Sequence, residues 1–582
     1  MFNATFRYPV AAAAALGSSR AHYFTRQQEE KHHRKHQHVL PSGEIRGCCC
    51  DFPDSVRILE MKKQRDDGVL ATSRSQIPST STDPLSIRLR EIVGSEHCIG
   101  PDSSNQRQFL KGARLGKGSA LAVVRPGSLQ EALEVLRACV AAGAVVIPQG
   151  ANTGLTGGSV PRNDNGDDRP AVILNMRRLS AIYPLTEHDA EGEPTVRMLC
   201  LAGAGLHDLV LKAATLETKR ESHSTLGSSF LNPTVAAGVA FGSGGTQLRK
   251  GPVFTERALW CRVADDGSVL VYNSTGIGSE DGLDVEGQEP FLVKESDQAA
   301  VLALIEAGGE TSDKERGSSQ YEKTDRKLTR ATRKCLVASD AERYSRDICE
   351  LNGSVSRFNA DTRGIDPVRS EGKVLLLASV HDTFPVPCCT RTYWVACDTL
   401  VTAQRLKQAV VLGGGAQGLP ISCEYMNQDS LDIIDTAGRG LCHLLLTKTF
   451  RPGSRPFLLL WNLKVWIESL TVEGMPIVQQ LCSVLPDHVL FAVNGLLPSV
   501  LPTCVQELTG QKGHHLLITA GDFGGGELAH FEERLTTFLA EDTRKGRGCL
   551  VDENDTDKCP CAKVAFLSDE GGPQSEVARV NM

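Results

Sequence analysis

A glycine-rich stretch places the strongest constraint on how this chain can fold. Residues 145–159 read VVIPQGANTGLTGGS, so β-formers lead into Pro148 and four glycines follow within nine residues. Glycine permits positive φ and a close approach of the backbone to a ligand. Backbone N–H groups in such a loop, with hydroxyls beside them, form a nest that suits a pyrophosphate. The stretch therefore predicts a phosphate-binding loop, with a plain turn between two strands as the alternative.

The sequence around this loop predicts a β-α-β unit. Ser119–Pro126 is typical of a strand, and Ser128–Gly143 combines an N-terminal Ser, a Glu three residues later and a C-terminal Gly, as in a capped helix. Further strands are predicted at Ala171–Leu174 and Val196–Ala202, followed by a helix over Gly205–Leu216. The loop fits neither the Rossmann fingerprint nor a Walker A motif, but its place at a strand end suits a dinucleotide.

A second small-residue stretch runs from Gly227 to Gly245 and reads GSSFLNPTVAAGVAFGSGG. Such residues let a helix or turn pack closely on a flat, wide surface. A bound ligand explains this pattern, and close packing of a helix on a sheet explains it without one. A third segment, Gly413–Gly418, satisfies G-x-G-x-x-G, but it follows a predicted helix (Thr402–Val411) and leads to Pro420. We therefore predict no nicotinamide site there.

Length and composition narrow the class of protein. A chain of 582 residues is long enough for two to four domains. A formal charge of −7 argues against a nucleic-acid partner held by phosphate contacts. The 19 Cys are scattered without metal-ligand spacing, so we expect free thiols in a reducing compartment and no metal site. No run approaches the roughly 18 apolar residues of a membrane-spanning helix.

The N-terminal region, residues 1–84, reads as transit-like and then disordered. Its first 26 residues contain three Arg, an alanine run and no acidic residue, a profile typical of a mitochondrial transit peptide. An irregular disordered start is the alternative. From Gln27 to about Pro84 the composition is too polar to bury a core, so we expect disorder there.

Taken together, the motifs resemble the FAD domain of the vanillyl-alcohol-oxidase / p-cresol-methylhydroxylase type and, within it, the quinone-dependent D-lactate dehydrogenases. Besides the two glycine stretches, the resemblance is carried by five further segments, in order between about Ile87 and about Phe566. They are GARLGKGSALAVVRPGSLQEALEVLRACV (Gly112–Val140), RFNAD (Arg357–Asp361), HDTF (His381–Phe384), EYMNQDSLDI (Glu424–Ile433) and HHLLITAGDFGGGE (His514–Glu527).

The resemblance implies an α/β plus α+β fold. The expected order is a two-subdomain FAD-binding domain at 85–275, a linker with a flexible insertion at 276–356, a cap domain of the membrane-binding type at 357–566, and a disordered tail at 567–582. The insertion is placed at Thr311–Cys335, which is basic and poor in apolar residues. Family members continue beyond the position of Phe566, so the chain is expected to be truncated at its C-terminus.

The cofactor implied is a non-covalently bound FAD. Carried over to this chain, the pyrophosphate cradle is Gly150, Ala151, Asn152, Thr153, Gly154, Gly158 and Ser159. Gly227, Thr234 and Gly244 are expected along the flavin and its ribityl chain, and Ser379 is expected to contact the flavin through its backbone.

The activity implied is FAD-dependent oxidation of D-lactate to pyruvate, with electrons passed to a quinone. It needs a base for the hydroxyl proton and a cation for the carboxylate. The base stays unassigned, because the family's His-bearing continuation is absent from this sequence. Arg249 and Lys250 are candidates for the cation, with a solvated turn as the alternative, and His514 and His515 are interpreted as cap-domain structure.

Several points stay open in the sequence. The substrate is D-lactate or a similar D-2-hydroxy acid, and the acceptor is a quinone or a soluble carrier. A non-catalytic flavin-binding remnant is a further alternative. The segment Trp461–Gly510 keeps a single basic residue, Lys464, so membrane contact through its apolar helices competes with an ordinary core role. The expected location is peripheral on the mitochondrial inner membrane, and otherwise cytoplasmic.

Overall fold

The fold is taken from a computed structural model, which describes residues 83–101, 103–113, 115–162, 169–188, 194–216, 219–223, 232–244, 247–278, 291–309, 336–349, 365–446, 459, 497–499, 501, 505–506, 508, 513–546 and 562–570. Most of residues 1–84, the predicted insertion Thr311–Cys335, nearly all of Trp461–Gly510, and the tail from 571 onward lie outside the described residues.

The described chain contains both β-strands and α-helices. The strands are β1 (Cys98–Ile99), β2 (Ala122–Val124), β3 (Val145–Gln149), β4 (Ala171–Asn175), β5 (Ile182–His188), β6 (Pro194–Leu201), β7 (Arg220–Glu221), β8 (Ala258–Val263), β9 (Val269–Asn273), β10 (Leu375–Asp382), β11 (Phe384–Pro385), β12 (Cys389–Cys397), β13 (Ser422–Asn427), β14 (His514–Asp522) and β15 (Ala562–Glu570). The α-helices are α1 (Pro84–Val93), α2 (Arg107–Leu110), α3 (Leu129–Ala141), α4 (Leu206–Ala214), α5 (Val235–Phe241), α6 (Glu295–Glu306), α7 (Ala341–Cys349), α8 (Leu400–Leu406), α9 (Gln428–Leu446) and α10 (Glu527–Gly546).

The first sheet confirms the predicted β-α-β unit. Its strand order is β1-β2-β4-β3, with β2, β4 and β3 parallel and β1 antiparallel to β2. Helix α3 connects β2 to β3 and is capped as predicted, because Ser128 Oγ accepts from the N–H of Glu131 while the Glu131 carboxylate accepts from the N–H of Gly127. Strand β2 is shorter than the predicted Ser119–Pro126, because its ladder pairing is limited to Ala122–Val124.

The second sheet is antiparallel, with the order β5-β6-β10-β8-β9. Its central strand β10 comes from residues 375–382, so this sheet reaches past the domain boundary that the sequence predicted at residue 357. Helix α6 lies within the predicted linker, yet it buries Val301, Leu302 and Ile305 in the same core as β8 and β10. The first two sheets and their helices therefore share one core and are called the first body here. This body contains segments from both sides of the predicted insertion.

The third sheet forms an α+β cap with the antiparallel order β13-β14-β12-β15. Strand β12 is buried on both faces. Tyr393, Val395 and Cys397 pack with α8 and α10, whereas Trp394 and Ala396 pack with α9 and the segment around Val505. The two kinds of sheet confirm the predicted α/β plus α+β fold class.

The segment Gly413–Gly418 is a turn that follows α8 and a short π-helix, Lys407–Val411. It therefore follows helical structure rather than a strand, as the sequence predicted. Within the described parts of the chain, no helix is both long enough and apolar enough to cross a lipid bilayer.

Candidate functional site

The glycine loop follows β3, and the side-chain amides of two buried residues hydrogen-bond to both ends of the loop. The side-chain amide of Gln149 donates to the carbonyls of Ser159 (2.8 Å) and Phe109 (3.0 Å). Asn175, opposite it on β4, donates to Gln149 Oε1 (3.0 Å) and to the carbonyl of Gly150 (3.1 Å). These hydrogen bonds tie both ends of the loop, Gly150 and Ser159, to the ends of β3 and β4.

Asn152 and Ser159 use their side chains to shape this loop. Asn152 has a left-handed φ of 54° and donates from Nδ2 to the carbonyl of Lys111 (2.8 Å). Its Oδ1 accepts from Ser159 Oγ (2.7 Å). Asn is among the few residues that adopt the left-handed region readily. Asn152 and Ser159, both predicted to bind the cofactor, therefore stabilise the loop through hydrogen bonds of their side chains.

Glycine is sterically required where the loop meets its neighbours. A Cβ on Gly157, whose φ is 76°, would lie 2.7 Å from the carbonyl oxygen of Leu115. A Cβ on Gly150 would lie 2.4 Å from Thr234 Oγ1. Thr234 in turn caps α5 by accepting from the N–H of Ala237. The first glycine stretch and the start of α5 are therefore in direct contact, as expected for one shared site.

The remaining predicted residues divide into three groups. Ala151, Thr153, Gly154 and Gly158 lie in the same loop, with Gly154 and Gly158 exposed. Gly244 follows α5 just beyond the left-handed Gly242, and Ser379 is buried in β10. Gly227 lies outside the described residues.

Three apolar side chains are exposed around the loop. Leu115, Leu155 and Phe241 have relative exposures of 58%, 41% and 51%, and the Phe241 ring would be 3.7 Å from a Cβ on Gly158. Single exposed apolar residues are ordinary on protein surfaces. Three around one glycine loop instead form an apolar border that a flat aromatic ligand can cover.

Two buried histidines at the second sheet were not selected from the sequence as site residues. His223 lies in the short segment after β7, and His381 lies on β10. Burial, with smaller effects from His381 and Lys250, lowers the pKa of His223 well below its usual range. Burial lowers the pKa of His381 to about 4, and the neighbouring Asp382 carboxylate offsets this only in part. Both imidazoles are therefore neutral at pH 7. The available sequence signal was a His four residues before Gly227, where the second glycine stretch begins.

Arg249 and Lys250, the candidate cations, have protein partners. Arg249 donates to the carbonyls of Gln417 (3.0 Å) and Leu419 (3.1 Å) and lies 4.2 Å from the centre of the Phe523 ring. It therefore joins the first body to the cap. Lys250 Nζ lies 2.7 Å from the Glu221 carboxylate and donates to the carbonyl of Ser222. These contacts favour structural roles over the binding of a substrate carboxylate.

A buried ion network ties the second sheet together. Glu187 accepts from Arg257 (2.8 and 2.9 Å) and from Arg197 (2.6 Å), and Arg197 also donates to Asp382 (2.6 Å). Burial alone would raise the pKa of Glu187, but the hydrogen bonds and charges of Arg257 and Arg197 outweigh it and lower the pKa to about 2. The network joins β5, β6 and β10 through Glu187, Arg197 and Asp382, and Asp382 is the residue next to His381.

The described residues contain no group of three or more His, Cys, Asp or Glu side chains arranged to hold a metal ion. The described cysteines are free thiols, of which Cys98, Cys139, Cys200, Cys261 and Cys397 are buried.

The fold and the loop thus define a class: a two-part α/β and α+β protein with a glycine-rich loop at a strand end. Residues 392–562 match the family described as "D-lactate dehydrogenase, membrane binding". The chain is 29% identical over 485 residues to the quinone-dependent D-lactate dehydrogenase of Corynebacterium glutamicum, covering 83% of this chain and 75% of the relative. The enzyme of the same name from Haemophilus influenzae is 28% identical, with 80% and 73% covered. Over about four fifths of its length, the chain is therefore similar to quinone-dependent D-lactate dehydrogenases.

Among solved structures, p-cresol methylhydroxylase with substrate bound aligns with a TM-score of 0.41 at 10% identity. The alignment covers 78% of this chain and 64% of that one, so the chain spans less than two thirds of that structure.

Proposed function

We propose that this protein is an FAD-dependent D-lactate dehydrogenase that converts D-lactate to pyruvate and passes the electrons to a quinone. The observation that carries the proposal is the relationship to two enzymes of that name across four fifths of the chain. The packing of the glycine loop against the start of α5 supports it independently, because the geometry is suited to a dinucleotide.

Two features of the loop support FAD as the cofactor. Glycines at 150 and 157 let the loop pack against Thr234 and Leu115, where a Cβ would collide, and exposed apolar side chains border the loop. In this proposal the cradle comprises Gly150, Ala151, Asn152, Thr153, Gly154, Gly158 and Ser159, with Gly227, Thr234, Gly244 and Ser379 toward the flavin. When bound, FAD accepts hydride from the carbinol carbon. The chain orients cofactor and substrate and excludes water from the reacting atoms.

Peripheral membrane attachment belongs to the same proposal. The matched family model, named for membrane binding, supports attachment through the cap. The Arg-bearing, acid-poor start supports the mitochondrial inner membrane as its location, with the cytoplasm as the alternative. Flotation with vesicles containing cardiolipin, compared with neutral vesicles, tests this part, and recovery of all protein in the soluble fraction with both would contradict it.

An anaerobic visible spectrum tests the half-reaction. We expect a yellow protein that is bleached by D-lactate and not by L-lactate, and reoxidised by a short-chain quinone. Other D-2-hydroxy acids in the same assay identify the preferred substrate, and a soluble dye that reoxidises the protein where quinone does not would favour a soluble acceptor. A yellow protein that no 2-hydroxy acid bleaches would support the flavin-binding remnant instead.

A further inference from the structure

His223 and His381 bury two imidazole rings against each other. Their ring centroids are 5.9 Å apart at an interplanar angle of 83°, and their relative exposures are 2% and 1%. His381 Nε2 lies 2.8 Å from Ser379 Oγ. Within the part of the chain that the structure describes, His223 Nε2 and His381 Nδ1 are buried without a hydrogen-bond partner. Buried polar atoms are nearly always paired, so two such nitrogens in one contact call for an explanation.

The pair lies on the sheet face that leads to the glycine loop. Ser379 and His381 are opposite Cys200 and Met198 across the β10–β6 ladder, so all four side chains share one face. Val235, the first residue of α5, packs in the cluster formed by Met198 and Cys200. Its neighbour Thr234 is the residue that contacts Gly150. The imidazoles and the loop thus approach α5 from the same face of the sheet.

The surroundings keep both rings neutral. The Phe384 ring packs edge-on against His223 at 5.0 Å, and Lys250 lies nearby with Glu221 as its partner. Asp382, next to His381, is held by Arg197. An imidazole that is neutral and lacks a hydrogen-bond donor at one nitrogen can accept a proton, whereas an imidazolium cannot.

We propose that His223 accepts the hydroxyl proton of the 2-hydroxy acid at Nε2, and that His381, held by Ser379, is its positioning residue. This role rests on the proposed dehydrogenase function. The O–H bond breaks and its proton moves to His223, the C2–H electron pair leaves as hydride to bound FAD, and C2=O forms. The negative charge of the substrate carboxylate favours the imidazolium that results.

The test compares His223→Gln with the wild type by anaerobic stopped flow. Gln keeps a polar atom near the position of Nε2 but cannot accept a proton at neutral pH. We expect the rate of bleaching by D-lactate to fall about 100-fold or more, the usual range for losing a general base. FAD content and the spectral titration with pyruvate should stay unchanged. Ser379→Ala, which releases His381, should lower the rate less and shift its pH dependence.

His515→Gln is the matched control. His515 is also fully buried, but it accepts from Trp394 Nε1 (3.1 Å) and lies 3.3 Å from Gln428 Oε1 in the cap. Its substitution should leave the bleaching rate of the folded protein unchanged. A His223→Gln protein that binds FAD and pyruvate normally and bleaches at the wild-type rate would overturn the proposal. If the wild type itself is yellow and unbleached, the proposed function fails first.

A measurement on the wild type covers the case in which His223→Gln does not fold. With ¹⁵N-labelled histidine, pyruvate should shift the Nε2 resonance of His223, because in this proposal the ligand oxygen lies against that atom. The His223 resonance is assigned by its response to Phe384→Leu, since the Phe384 ring packs against His223, and the His381 resonance by its response to Ser379→Ala. An Nε2 resonance that pyruvate leaves in place, while the flavin spectrum reports binding, would overturn the assignment.

Discussion

Replacing Gly150 with Ala tests whether the contact between the glycine loop and α5 is needed to bind the cofactor. The added Cβ would lie 2.4 Å from Thr234 Oγ1 and 2.9 Å from Thr234 Cγ2, well inside van der Waals contact. Thr234 cannot turn away freely, because its hydroxyl caps α5. The loop must therefore move, or the cap must break.

The size of the effect follows from the cost of overpacking. Forcing an extra methyl into a packed contact costs about 1–3 kcal/mol. If cofactor binding requires the original loop position, FAD affinity falls by the same amount, which is about 5- to 150-fold in Kd. Fluorescence titration of the apoprotein with FAD measures this directly.

Gly513→Ala, outside the loop, is the control. A Cβ at Gly513 meets no atom within 4 Å, and its φ is not in the left-handed region, so this change should leave both folding and FAD affinity intact. The double variant Gly150→Ala with Thr234→Ala removes the collision and should recover part of the lost affinity. Equal FAD affinities for Gly150→Ala and Gly513→Ala would refute the reasoning.

Three further predictions concern stability. Arg257→Met leaves the Glu187 carboxylate buried with fewer partners and should lower the free energy of unfolding by about 3–5 kcal/mol. Its control, Arg88→Ala, breaks an exposed pair with Glu91 and should lower the free energy of unfolding by less than about 1 kcal/mol. Urea unfolding measures both. The pKa of Glu187 is about 2 when folded and 4.5 when unperturbed, so its stabilisation is fully present above about pH 4.5 and is lost as pH falls towards 2. Glu187→Gln should remove that part of the acid sensitivity, and an unaltered acid-unfolding curve would contradict it. Ser128→Ala should cost about 1 kcal/mol through the lost cap of α3, seen as a lower thermal midpoint, and Ser180→Ala, at an exposed position outside any helix, serves as its control.

Local patterns predicted the local parts of this structure. The Ser128 and Glu131 spacing located a capped helix because the capping bonds join residues three apart. The glycines at 150 and 157 signalled close backbone approach, although the atoms they approach, Thr234 Oγ1 and the Leu115 carbonyl, could not be named. Those partners depend on how distant segments pack.

Non-local features were beyond the reach of the sequence. The side-by-side placement of His223 and His381 joins residues 158 positions apart, and no spacing rule connects them. The place of β10 between β6 and β8 likewise depends on ladder pairing, which a run of apolar residues does not specify. The site residues that came from family resemblance remain predictions about FAD, whereas their mutual contacts are now described.

The central place of β10 has a consequence for how the chain is made. Until residue 382 has been synthesised, β6 and β8 each lack a neighbour on one side, although both have been complete for more than a hundred residues. Unpaired strand edges invite pairing with other chains, and closing so long a loop slows folding. The newborn protein therefore passes through a long interval with two open strand edges, and a fragment that stops at residue 275 would carry them permanently.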